Sequence, residues 1–178
     1  MRRTLTGACA AVLAALAVAG CGSSNTTTAT DTWATGVCTA ITTWQNQLTS
    51  IENTVKSGGV TKDSINTAVT QAKDATNQLG DSLKKLGKPD TQAGQQAKDD
   101  VNQLSSELNK NVQTIQDAIS NASGAAGVLT AVSTASSTLV TMGNQVSTTL
   151  TDLQKLDPKG EIQQAFKQSS SCKSLLGT

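Results

Sequence analysis

Apolar residues recur along this chain at alternating steps of three and four, and four stretches carry that rhythm. Val37, Ile41, Trp44, Leu48, Ile51 and Val55 fall on one side of a helix predicted over 31–56. Asp31 or Thr32 is placed to cap its start, and Gly58-Gly59 to end it. Ile65, Val69, Ala72, Thr76, Leu79, Leu83 and Leu86 mark a second helix over 61–86. Thr61 is its expected N-cap, Asp63 suits the helix dipole in the first turn, and Gly87 and Pro89 stop it. A third helix starts near Asp90 or Thr91 and carries Ala93, Ala97, Val101, Leu104, Leu108, Val112, Ile115 and Ile119. Residues 121–127 then read as a turn. The fourth stripe is Val128, Val132, Ala135, Leu139, Met142, Val146, Leu150, Leu153 and Leu156. Thr and Ser, both weak helix formers, crowd this stretch, yet its period stays helical. Gly143 in its middle suggests a kink or a close helix approach.

Asp157-Pro158 reads as a boundary, because Asp can cap and Pro loses nothing at a first helical position. A short fifth helix follows, with Ile162 and Phe166 on one side and its end near Cys172. The two-residue period of a strand appears nowhere. The expected fold is all-α: an up-down-up-down four-helix bundle with a short fifth C-terminal helix, over 32–178. The third and fourth helices read longer than the first two by about six residues, which lets their hairpin project by roughly 9 Å. Its tip, around Val128 and Leu129, is uncharged and partly apolar. Two readings are open for it: a contact site for a partner, or a cover folded over the open end of the bundle.

The N-terminus has a different logic. Met1-Arg2-Arg3 precedes an apolar run over 8–19, then Val18-Ala19-Gly20-Cys21. A positive start, a short apolar run and small residues before a cut site make an export signal. The run is too short for a permanent span, which needs about 20 apolar residues. The Val18-Ala19-Gly20-Cys21 end resembles a bacterial lipobox. That resemblance implies removal of residues 1–20, a lipid on Cys21, and a mature protein held outside the cytoplasm. Residues 21–31, rich in Ser and Thr, then read as lipid anchor and tether.

Charge sharpens this picture. The chain has 14 Lys and Arg against 13 Asp and Glu. Both arginines, Arg2 and Arg3, leave with the signal, so the domain has Lys alone as its strong cation. That argues against nucleic acid, which calls for a basic stripe. It also argues against electrostatic docking on anionic lipid, which leaves the lipid on Cys21 as the attachment to the membrane. Cys9 goes with the signal, and Cys38 and Cys172 remain as an even pair in an oxidising compartment. A structural disulfide is the plain reading. A reactive thiol would need a neighbour to lower its pKa, and the domain left after the signal has no His or Arg for it. In an up-down bundle the start of the first helix and the finish of the fourth share an end, so Cys172 can meet Cys38.

Candidate chemistry is sparse. There is no His and no Tyr, which removes the commonest general base and metal ligand. No phosphate loop, nucleophile elbow or zinc spacing occurs. Asp99, Asp100 and Glu107 cluster on the third helix but lack a cation-binding loop, so a solvated face is expected. Lys84, Lys85 and Lys88 fit a helix C-terminus. Trp44 reads as a core anchor or the wall of a ligand pocket, and Trp33 as a packed residue or an exposed contact. Phe166 reads as a plug. No catalytic residue, cofactor or metal is expected.

With these residues placed, the chain resembles the uncharacterised small secreted lipoproteins of actinobacteria. The lipobox at Cys21, the Trp33…Val37-Cys38-Thr39-Ala40-Ile41…Trp44 stretch and the Ile162…Ala165-Phe166…Cys172-Lys173-Ser174-Leu175 stretch carry the resemblance. It implies a lipid-anchored helical bundle on the outer face of the cell membrane, with no activity to carry over. The expected function is a non-enzymatic interaction or structural module with an envelope protein as partner. The alternative is a binder of a small or apolar ligand in a cavity between helices. The first test is chemical. The intact mass of membrane-extracted protein should begin at a diacylglyceryl-modified Cys21; a retained Met1 would reject the anchor.

Overall fold

The computed structural model describes residues 28–58 and 61–176. The export signal, Cys21 and most of the segment read as a tether lie outside the described residues. Six helices follow in chain order: α1 (Ala29–Gly58), α2 (Lys62–Leu86), α3 (Gly94–Ser120), α4 (Gly124–Lys155), α5 (Glu161–Gln168) and α6 (Ser170–Leu176). No strand occurs among the described residues.

Local chemistry explains where each helix starts, and corrects several expected boundaries. Thr28 caps α1. Its backbone N–H donates to Asp31 Oδ2 at 2.8 Å, and Asp31 N–H donates back to Thr28 Oγ1 at 3.0 Å. Asp31 therefore completes the cap from inside the helix, and the helix takes over the end of the expected tether. Thr61 caps α2 as expected, exchanging bonds with Ser64. Helix α3 starts later than expected, at Gly94. The chain turns tightly after Pro89, and a Cβ at Gly94 would lie 2.1 Å from the Pro89 carbonyl oxygen. Only glycine clears that contact.

Helix α4 starts earlier than expected. Ser123 is extended, Gly124 takes a positive φ of 66°, and Gly124-Ala125-Ala126-Gly127 forms the first helical turn rather than a loop. Its many hydroxyls bond back to the preceding turn: Thr130 to Ala126, Thr134 to Thr130, Ser136 to Val132, Thr141 to Ser137 and Thr151 to Ser147. That local satisfaction lets a Ser/Thr-rich segment present a smooth helical surface. Gly143 neither kinks this continuous helix nor admits a neighbour; a Cβ there would meet nothing within 4 Å. A mid-helix glycine in open space costs about 1 kcal/mol against alanine.

The expected fifth helix is two, broken at the extended residue Ser169. Its start is fixed by Asp157, which is 6% exposed. The carboxylate accepts from the backbone N–H groups of Lys159, Glu161 and Ile162 at 3.1, 2.8 and 3.3 Å. Asp157 thus caps α5 across the Pro158 turn, and α5 begins at Glu161 rather than at Pro158.

Consecutive helices pack in pairs, α1 on α2, α2 on α3 and α3 on α4. Helices α5 and α6 lie against α1, and α5 also touches α4. Among the described residues α1 and α4 do not form an extended pair. It is α5 and α6, rather than α4, that pack on α1. Trp33, early in α1, donates its indole N–H to the Gly87 carbonyl just past the end of α2, at 3.3 Å, so these two helices run antiparallel.

Burial follows from this arrangement. At the end holding α5 and α6 the core is deep: Trp33, Val37, Cys38, Ile41, Leu83, Ile162, Phe166 and Cys172 are all buried. Phe166 meets Trp33 edge to face, with ring centroids 6.2 Å apart. Such a pair contributes about 0.5–1.5 kcal/mol beyond its buried area. Trp44 is buried as well, and its indole N–H donates to Thr76 Oγ1 at 3.1 Å. That bond explains a threonine on the apolar stripe of α2. Toward the other end the core thins. Ile65 and Val69 of α2 and Val112, Ile115 and Ile119 of α3 stay buried, while Leu48, Ile51 and Val55 of α1 are only half-buried.

The disulfide joins Cys38 of α1 to Cys172 of α6, with Cα atoms 5.0 Å apart. It closes a loop of 134 residues. The chain-entropy model assigns such a loop about 5 kcal/mol. Non-reducing peptide mapping should recover this linked pair, and Cys38→Ala should lower the unfolding free energy in urea by roughly 2–5 kcal/mol. An unchanged midpoint would show that packing alone holds this end.

Candidate partner-contact site

The α3–α4 turn is short because each side supplies its own stop. The N–H of Asn121 bonds back to Asp117, and Ala122, 8% exposed, tucks its methyl under the turn. Ser123 makes no side-chain cap, so the first N–H groups of α4 are left without a side-chain partner. Within one residue step the helix then presents two different faces. Val128 is half-buried against the core, while Leu129 is 72% exposed.

Both residues line an open cavity of about 790 Å³ at this end of the molecule. Ala122, Ala125 and Val132 complete its apolar wall, and Lys62, the first residue of α2, supplies an ammonium at its rim. The surface can seat an apolar side chain or ligand and offer charge at one edge. The position of Lys62 also corrects the expected projection. The α3–α4 turn stands level with the start of α2, and the helices of 30, 25, 27 and 32 residues do not divide into a short pair and a long pair.

The other sequence candidates go elsewhere. Neither indole reaches the surface: Trp33 and Trp44 are each 3% exposed, so both are core anchors. Cys21 lies outside the described residues. Asp100 and Glu107 line a second, polar groove of about 420 Å³ with Gln103, Asn144, Gln145 and Asp152. Their carboxylates are engaged along their own helix, Asp100 accepting from Gln96 at 2.7 Å and Glu107 from Gln103 at 2.9 Å. Asp99 accepts from Gln95 in the same way, and Asp152 lies 3.9 Å from Lys155. No cluster able to hold a metal ion occurs among the described residues. Lys84 and Lys85 sit exposed in the last turn of α2, where their charge opposes the helix dipole.

One feature escaped the reading of the helical stripe. The large apolar residues exposed among the described residues are Leu129, Leu139 and Val140, at 72%, 42% and 65%, and all belong to α4. Leu139 was expected in the core and is not covered, because α1 does not reach across to α4. A signal was present in the sequence: no charged residue occurs from Gly124 to Thr151. This is the described helix long and apolar enough to cross a membrane by length and composition, and only 11% of its most apolar window is buried.

Comparison with protein families, with curated proteins and with solved structures returns no match.

The two faces of the tip make opposite predictions. Leu129→Asp should change the unfolding free energy in urea by less than about 0.5 kcal/mol, since the side chain is already in water. Val128→Asp should lower it by roughly 1–3 kcal/mol, because it moves a carboxylate against the core. Equal losses at the two positions would mean that Leu129 is covered in solution.

Proposed function

We propose that this chain is a cell-envelope lipoprotein, anchored by a lipid on Cys21 at the extracytoplasmic face of the membrane, that works as a non-enzymatic interaction module. The observation that carries the reading is Leu129, a large apolar side chain held out in water at the rim of an open apolar cavity. The three large apolar residues exposed among the described residues fall on this one uncharged helix, and apolar surface gathered in one place marks an interaction site. The disulfide suits an oxidising compartment, which agrees with export through the Cys21 signal. The up-down-up-down order enters the proposal in an opened form, with α5 and α6 wedged beside α1 and the contact surface at the end opposite the tether. Residues 22–27 alone separate Cys21 from the cap of α1, a reach of at most about 25 Å.

A second reading has one observation in its favour. The tip cavity has the volume and apolar lining of a small-ligand site, so an apolar ligand seated on Val128 and Val132 is the alternative. Crosslinking capture from the protein's own membrane separates the two. Leu129→Asp should abolish capture of the protein partner while the melting temperature stays unchanged. Retained capture, together with loss of an extractable apolar ligand, would shift the function to ligand binding.

A further inference from the structure

The outward face of α4 is a second stripe, distinct from the one that packs on the core. Leu129, Ser133, Ser136, Val140, Gly143 and Ser147 follow at steps of four, three, four, three and four, the spacing of a two-helix seam. Leu129, Ser133, Ser136, Val140, Gly143 and Ser147 are all exposed or open to solvent. We propose that this face pairs with the same face of a second copy, α4 against α4, antiparallel about a two-fold axis at Ser136, with both molecules lying along the membrane so that their tethers leave from opposite ends of the pair. The inference names the partner for the contact surface at Leu129 and rests on that reading.

Three observations select a second copy as the occupant. The first is shape. An antiparallel pair centred on Ser136 sets Leu129 opposite Gly143 of the other copy and Val140 within one residue of the level of Ser133, the nearest seam residue to it. Every bulky residue then meets a small one, and the seam closes at even thickness. A parallel pair would set Leu129 against Leu129 and Gly143 against Gly143, leaving bulges and gaps. The second is Gly143 itself. It weakens the helix with no neighbour in its own chain to require it. A leucine from a second copy at that point supplies the missing reason.

The third is charge. A two-fold contact places each residue near its own kind, so like charges on the face would repel. From Gly124 to Thr151 there are none. The Ser136 hydroxyl is already bonded to the Val132 carbonyl at 3.0 Å, so the axis can close without stranding it. The same face is poorly made for a bilayer surface. It has no aromatic residue and no basic residue on its flanks, and hydroxyls alternate with its apolar groups.

The area sets the strength. The uncharged length of α4 is about 42 Å and a helix is about 10 Å wide, so each copy presents about 420 Å². The total of about 840 Å² lies below the roughly 1,200 Å² where stable specific interfaces begin, which makes the pair weak and reversible.

The test uses the mature lipidated protein in membranes of the producing cell and in detergent. Its own Cys38 and Cys172 are consumed by the disulfide. Under oxidation, Ser136→Cys should crosslink to itself. Leu129→Cys and Gly143→Cys should crosslink to each other when produced together, and neither to itself. Ser106→Cys, exposed on α3, should give no crosslink. In sedimentation the wild type should pass from dimer to monomer on dilution. Val140→Asp should weaken pairing at least about tenfold with unchanged melting of the dilute monomer. Gly143→Ala should raise that melting temperature and still weaken pairing. A monomer at every concentration overturns the proposal, and so does self-crosslinking of Leu129→Cys and Gly143→Cys. Quenching of a fluorophore on Val140→Cys by brominated lipid in phosphatidylcholine vesicles also overturns it and assigns the face to lipid. Loss of capture in Leu129→Asp without a Ser136→Cys crosslink leaves the tip contact standing and removes the pairing.

Discussion

The bridge between Cys38 and Cys172 is the constraint on which the other contacts depend. It ties the first turns of α1 to α6, across 134 residues. The bond holds α6 against α1, which brings α5 into the same layer and sets Phe166 against the edge of Trp33. Trp33 in turn reaches the carbonyl that ends α2. One covalent link thus organises the ends of three helices and both C-terminal segments. The need for it follows from composition. Ala97, Ala75, Ala34 and Ala165 occupy core positions where larger residues would bury more area, so packing alone has less to contribute.

That clasp has a structural consequence at a distance. With α5 and α6 seated on α1, α4 is held beside α3 and touches α5, but it does not lie along α1. The C-terminal half of α4, from Met142 to Leu153, finds cover near the clasp. Among the described residues the N-terminal half, from Leu129 to Val140, packs on the side facing α3. Its outward residues stay in water. The same geometry that closes one end of the molecule therefore leaves an apolar, uncharged helix face open over the rest.

The surface of α4 is made compatible with water by local bonding rather than by charge. Threonine and serine hydroxyls donate to carbonyls one turn earlier, which satisfies them without solvent. A helix treated this way needs no charge pairs to satisfy its hydroxyls and is low in desolvation cost when covered. Those two properties belong together in a contact surface, and they distinguish α4 from α3. On α3 the exposed polar groups include three Gln–carboxylate pairs that keep water close.

The sequence by itself determined the all-helical class, the four long segments and their core stripes, because a 3.6-residue period survives whatever the helices pack against. The stripe of α3 lies in the core from Ala97 to Ile119, and the Thr61 cap of α2 needs only its own neighbours. The Cys38–Cys172 pair was legible because these are the two of the four cysteines that lie outside the N-terminal stretch read as signal and anchor. Other boundaries depended on contacts that a pattern does not display. Gly94 starts α3 because of the Pro89 carbonyl, and Asp157 caps α5 across a turn through bonds to three separate N–H groups. Only the tertiary structure decided that Trp33 and Trp44 are both interior, that Leu139 is not, and that Leu129 and Val128 part company at the tip. A helical period says which residues share a face. Whether anything covers that face depends on which helices pair, and here α1 packs on α2, α5 and α6 rather than on α4.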